Sequence, residues 1–167
     1  MRNKTKRIAL LGVLTSVALV LSYLEAMLPP ISTMAPGIKM GLPNLIIIFV
    51  LYKFGFKEAA TVSFIRVFIV AAFFGGNIMT LAYSVAGAVL SLLLMALFKK
   101  INLFSMVGVS ILGGISHNLG QVLVAIFLFD TIQIGYYMII LTITGTIAGV
   151  VIGVISSILA KKLEKIV

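Results

Sequence analysis

The sequence predicts an all-α integral membrane protein, one domain over residues 1–167 built as a bundle of six transmembrane helices with both termini in the cytoplasm. Three observations carry this prediction. The chain is 62% hydrophobic, where soluble domains sit near about 45–50%. Its apolar residues fall in several long runs, the pattern of membrane spans. Its cations gather between those runs, so the net charge of +9 marks loops at a membrane surface and not affinity for nucleic acid.

The first span covers residues 8–28. The basic start at Met1–Arg7 resembles a signal peptide, but the apolar stretch is too long for an h-region and no clean small-residue cleavage site follows, so a retained helix is expected. The connection over residues 29–43 holds all four prolines (Pro29, Pro30, Pro36, Pro43) and two glycines, a rigid loop able to cap a cavity. The second helix, 44–52, is short for a hydrocarbon core that needs about 20 residues. It begins near Met40, tilts, or packs against protein as a partial span. Further spans follow at 58–74, 78–98, 103–129 and 134–160.

Charge fixes the orientation. With the N-terminus inside, the cytoplasmic segments hold Arg2, Lys4, Lys6 and Arg7; Lys53 and Lys57; Lys99 and Lys100; and Lys161, Lys162 and Lys165. The outer loops hold Lys39 and Asp130. Five or seven spans would break this alternation. The expected location is the cytoplasmic membrane.

One cation is left over. Arg66 lies within the apolar run 59–74, where a charge costs at least roughly 2.5–3.5 kcal/mol and faces a protein interior or a wet cavity. Its planar fork suits phosphate or carboxylate. The alternative is a structural role, pairing with Glu25 or with backbone carbonyls. The other polar residues at depth fall in one leaflet: Glu25, Lys39, Asn44, Asn77, Tyr83, Ser84, His117, Asn118 and Gln121. With Arg66 they are expected to line one outward-facing cavity. His117 and Gln121, four apart, share a helix face. Each has a plainer reading as well: His117 as a hydrogen-bonded packing residue, Asn77 as a turn residue after Gly75 and Gly76, Lys39 as an interfacial lysine.

Small residues form the second pattern. Gly145, Gly149 and Gly153 recur at steps of four, a ridge that lets another helix approach closely. Ala9, Gly12 and Ser16 lie in the cytoplasmic half of the first helix and either pack inside the bundle or dock a partner subunit.

Absences narrow the function. No phosphate-binding G-x-x-x-x-G-K-[ST] motif is present, so no ATP hydrolysis by that route is expected. The chain has no cysteine, one histidine and four well-separated acids, Glu25, Glu58, Asp130 and Glu164. Neither a metal site nor Mg²⁺-diphosphate chemistry is expected from such a set, and no cofactor or enzyme activity is predicted.

Several motifs carry a family resemblance: Gly37-Ile38-Lys39-Met40-Gly41-Leu42-Pro43-Asn44, Arg66-Val67, Gly75-Gly76-Asn77, Tyr83-Ser84-x-x-Gly87 and Ser116-His117-Asn118-x-Gly120-Gln121. Together they resemble the Gx transporter family, often labelled heptaprenyl diphosphate synthase component I. That family in turn resembles the substrate-binding S components of energy-coupling factor (ECF) transporters. The resemblance implies a six-helix subunit that binds a small ligand from outside, uptake being driven by a separate ATPase and scaffold module. It places partner docking at Ala9, Gly12 and Ser16. The Ala-x-x-x-Ala often found there is incomplete, since Val13 stands four after Ala9. The ligand classes left open are vitamin-like molecules, flavins and isoprenoid diphosphates. The alternative function is a membrane anchor or partner, for example of an extracytoplasmic flavoprotein, in quinone, isoprenoid or flavin-based extracellular electron transfer metabolism, without transport.

Overall fold

The computed structural model describes residues 2–27, 39, 41–73 and 78–163. Within them the chain forms six α-helices: α1 Arg2–Met27, α2 Asn44–Lys53, α3 Phe56–Phe73, α4 Ile78–Ile101, α5 Met106–Phe129 and α6 Met138–Leu163, the last preceded by a 3-10 turn at Ile132–Tyr137. No strand occurs among the described residues. Among the described residues, four helical segments are long and apolar enough to cross a membrane: Lys4–Met27, Ile78–Ile101, Met106–Phe129 and Ile132–Lys162. The outward faces are themselves apolar, with Phe73, Ile78, Phe127 and Ile139 exposed. A surface of this kind suits lipid, and the protein is a multi-pass membrane protein.

Helix boundaries follow local chemistry. Ser105 caps α5, its hydroxyl accepting from Gly108 N–H at 3.3 Å, which satisfies one of the first-turn donors. Asp130 stops the same helix in the left-handed region at φ 48°. Gly55, at φ +107°, separates α2 from α3 with a backbone that glycine adopts at little cost.

Two helices depart from full-span length. α3 has 18 residues and carries Lys57, Glu58 and Arg66. α2 has ten residues, about 15 Å at the α-helical rise, half of a hydrocarbon core. It begins at Asn44, so the reading that survives is the partial span packed against protein. Its residues Ile46–Leu51 are all buried. At its start, Ser156 Oγ, far along α6, donates to Leu45 O at 3.0 Å. At its end, Lys99 Nζ donates to Leu51 O at 2.7 Å. Thus α2 lies beside the end of the bundle where α4 and α6 finish.

That same end collects the cations. Arg7 pairs with Glu58, donates to Phe54 O at 3.3 Å and lies 5.6 Å from the Phe54 ring centroid. Lys99 sits 5.1 Å from the Tyr52 ring centroid.

The glycine ridge of α6 does what its spacing predicts. A Cβ at Gly149 would stand 2.6 Å from Ile111 Cα, and one at Gly153 would stand 2.7 Å from Val107 Cα. From the facing helix, a Cβ at Gly114 would meet Gly145 O at 2.4 Å. Side chains there would push α5 and α6 apart.

Candidate functional site

The site is organised around a turn that enters the bundle between α1 and α2. Asn44 N–H donates to Gly41 O at 2.9 Å, Leu45 N–H to Leu42 O at 3.1 Å and Ile46 N–H to Pro43 O at 3.0 Å. The first turn of α2 therefore spends its donors on the chain that precedes it. Gly41 takes φ +84°, a left-handed conformation open to glycine. The space is as restrictive as the angle: a Cβ there would lie 3.0 Å from Asn44 Nδ2 and 3.1 Å from the His117 ring.

Two side chains hold this turn. The Glu25 carboxylate, near the end of α1, accepts from Gly41 N–H and, at 3.2 Å, from Leu42 N–H. The Gln121 amide, on α5, accepts from Lys39 N–H at 2.8 Å and donates to Lys39 O at 2.9 Å. Glu25 and Gln121 are both buried, where such bonds are costly to leave unmade.

Arg66 is buried, at 6% exposure. It is close enough to Glu25 to couple electrostatically, and Lys39 couples to both. Neither cation makes an ion pair with Glu25; Arg7–Glu58 is the ion pair found among the described residues. The structural reading of Arg66 as a contact partner of Glu25 is thus not what the geometry contains. Nε and Nη2 of Arg66 have no hydrogen-bond partner among the described residues.

His117 is wedged between two glycines. A Cβ at Gly87 would come within 2.9 Å of its ring, and Gly41 presses from the other direction. The Gly87 backbone lies close enough to interact with the ring, but Nδ1 makes no hydrogen bond of good geometry among the described residues. Both Arg66 and Lys39 couple to it electrostatically. Helical rise places Arg66 about 15 Å along α3 and His117 about 16 Å along α5. Arg66 and His117 therefore lie near the middle of their own helices, while Glu25 stands near the end of α1.

The remaining residues divide. Asn44 is buried and its Nδ2 donates to Ser91 Oγ at 3.4 Å, while Ser91 Oγ donates to Gly113 O at 2.9 Å. Asn118 points toward α6, donating from Nδ2 to Leu141 O at 2.7 Å. Tyr83 belongs to the same cluster as Leu141, with Val122 and Ala125. Tyr83 Oη and Asn118 Oδ1 are buried without hydrogen-bond partners among the described residues. The ten polar residues of the sequence reading thus form a charged group (Glu25, Lys39, Arg66, His117, Gln121), with Asn44 beneath it, and a neutral pair around Leu141. Ser84 is half-buried on α4, and no hydrogen bond among the described residues ties it to either group. Asn77 lies outside the described residues.

Sequence reasoning missed Ser91 and Leu141 O as polar partners, and the seating of His117 by Gly41 and Gly87. A serine four residues after Gly87 in an apolar helix was the available signal for Ser91. An apolar groove of about 340 Å³ between α3 and α4, lined by Phe64, Val67, Val85 and Val89 among others, contains none of the ten polar residues. Ala9, Gly12 and Ser16 are exposed on α1, and a Cβ at Gly12 would find nothing within 4 Å. They do not pack inside the bundle.

Compared with known proteins, the family described as heptaprenyl diphosphate synthase component I matches residues 14–159. No curated protein matches, and no solved structure matches.

Proposed function

This chain belongs to the heptaprenyl diphosphate synthase component I family, and from that premise we propose that it is a membrane substrate-binding subunit, similar to the S components of ECF transporters. Six helices form one domain in the cytoplasmic membrane, with the cation-rich end of the bundle in the cytoplasm. The ligand is a small anion taken from the outer face. Uptake is driven by a separate ATPase module that docks on the exposed face of α1 at Ala9, Gly12 and Ser16.

The observation that carries this reading is the open edge of Arg66. A buried guanidinium whose Nε and Nη2 find no partner among the described residues is costly to maintain, and an arriving anion relieves that cost. Lys39 adds positive charge, Glu25 and Gln121 hold the turn that carries Lys39, and Asn118 and Tyr83 offer hydrogen bonds for orientation. Asn44, Asn77, Ser84 and His117 complete the proposed lining.

A second reading is favoured by the family name. A "component" of a prenyl diphosphate synthase suggests a membrane anchor or partner in isoprenoid, quinone or flavin-linked electron-transfer metabolism. The four acids are scattered along the sequence, so the carboxylate cluster that would hold Mg²⁺ for chain elongation is not available in this chain. On this reading catalysis belongs to the other component.

Native mass spectrometry after gentle extraction from the host separates the two. A defined small mass bound to the protein together with ATPase and scaffold subunits supports transport. A synthase or flavoprotein partner with no ATPase supports the anchor. Arg66→Ala is expected to fold and to lose the bound mass; retention of that mass would sink the binding role of Arg66.

A further inference from the structure

We infer that the ligand presents one net negative charge to the Arg66 site, as a carboxylate does, and not the multiple charge of a diphosphate. This deepens the anion-binding reading above and rests on it.

The charges around the turn at Gly41 do not cancel. Arg66 and Glu25 are buried there, and Lys39 is half-buried. His117 is buried beside two cations, which favours its neutral form, so two cations face one anion. No other acid among the described residues reaches them: Glu58 is held by Arg7 at the opposite end of the bundle, and Asp130 is exposed past the end of α5. Glu25 does not quench Arg66 by contact, because its carboxylate accepts from Gly41 and Leu42 N–H. One positive charge is therefore left over beside the buried Arg66 and Glu25, and buried charges persist when paired. A single added negative charge brings the sum to zero. A diphosphate would exceed it and set excess negative charge beside Glu25, which is repulsive at short range.

The shape of the open edge agrees. Nε and Nη2 are neighbouring donors on one edge of the planar guanidinium, a fork that meets two oxygens of a carboxylate or of a phosphate, so the choice between them falls to charge. The neighbouring His117 ring offers a hydrogen-bonding edge without a formal charge.

The test uses the purified full-length protein in detergent, with thermal unfolding followed in acetate or pyrophosphate against chloride at matched ionic strength. Wild type is expected to bind acetate about tenfold or more tightly than pyrophosphate. Glu25→Gln keeps an oxygen to accept from Gly41 and Leu42 but removes the negative charge, and is expected to reverse that preference. Arg66→Met is expected to lose the response to both anions. If wild type already prefers pyrophosphate and Arg66→Met abolishes the response, the charge count is overturned while anion binding stands. If neither anion acts on wild type beyond chloride, and Arg66→Met unfolds as wild type does, both the charge count and the anion-binding reading fall.

Discussion

Gln121 grips the backbone of Lys39 with both ends of its amide, its oxygen accepting at 2.8 Å and its nitrogen donating at 2.9 Å. The pairing copies a rung of sheet between a loop and a helix otherwise far apart in sequence. It settles where the Lys39 backbone stands, and so where its side chain begins, relative to Arg66. Gln121→Leu removes both bonds and leaves the partly buried N–H and C=O of Lys39 unpaired. We expect a loss of about 1–2 kcal/mol in stability, read by unfolding in mixed micelles. Ligand affinity should fall as well, because the Lys39 ammonium is no longer positioned.

Gly41 and Gly55 both take positive φ, but their surroundings differ. A Cβ at Gly55 would stand 3.6 Å from Glu58 Oε2, an ordinary contact. Gly55→Ala should cost about 1 kcal/mol of backbone strain and leave binding intact. Gly41→Ala adds crowding against Asn44 and His117 to the same strain. It should weaken binding several-fold at comparable expression, measured by retention of the co-purifying ligand.

The helix seams give a paired test. Gly114→Ala sets a methyl group 2.4 Å from Gly145 O, and the obstacle is backbone that cannot rotate away. The variant should lose roughly 2–3 kcal/mol, or fail to accumulate. Gly12→Ala meets open space and should be neutral or stabilising by up to about 1 kcal/mol through helix propensity. If α1 docks a partner subunit, Gly12→Leu should abolish co-purification of that subunit with an unchanged melting temperature.

Orientation is open to direct labelling because the chain has no cysteine. Asp130→Cys should react with a membrane-impermeant maleimide in intact cells. Lys100→Cys and Lys162→Cys should react only after permeabilisation. The reverse result would invert the topology and move the proposed ligand entrance to the cytoplasm.

Much of this architecture was legible in the sequence for simple reasons. Apolar runs punctuated by lysine gave six helices in order, and glycine at steps of four gave the α5–α6 seam. Arg66 declared itself by being charged among apolar neighbours. The bonding of the polar residues was not legible, because it runs from side chain to backbone. Nothing in the sequence says that Glu25 serves Gly41 and Leu42 in place of Arg66, or that Gln121 serves the main chain of Lys39. The split between Asn118 and His117 was equally hidden: adjacent residues on a helix diverge by about 100°, so the two face different neighbours.

The short length of α2 has a consequence for the order in which the protein is made. Its carbonyls at Leu45 and Leu51 are covered by Ser156 and Lys99, which lie 111 and 48 residues further along the chain. A ribosome reaches Lys99 only after α3 and most of α4 exist, and Ser156 only when the chain is almost finished. A ten-residue apolar helix cannot span the bilayer by itself. It enters as a passenger of its neighbours and reaches its final seat when the last helix closes over it. Nascent chains arrested before residue 156 should therefore leave α2 accessible to protease or to cysteine labelling, and full-length chains should not.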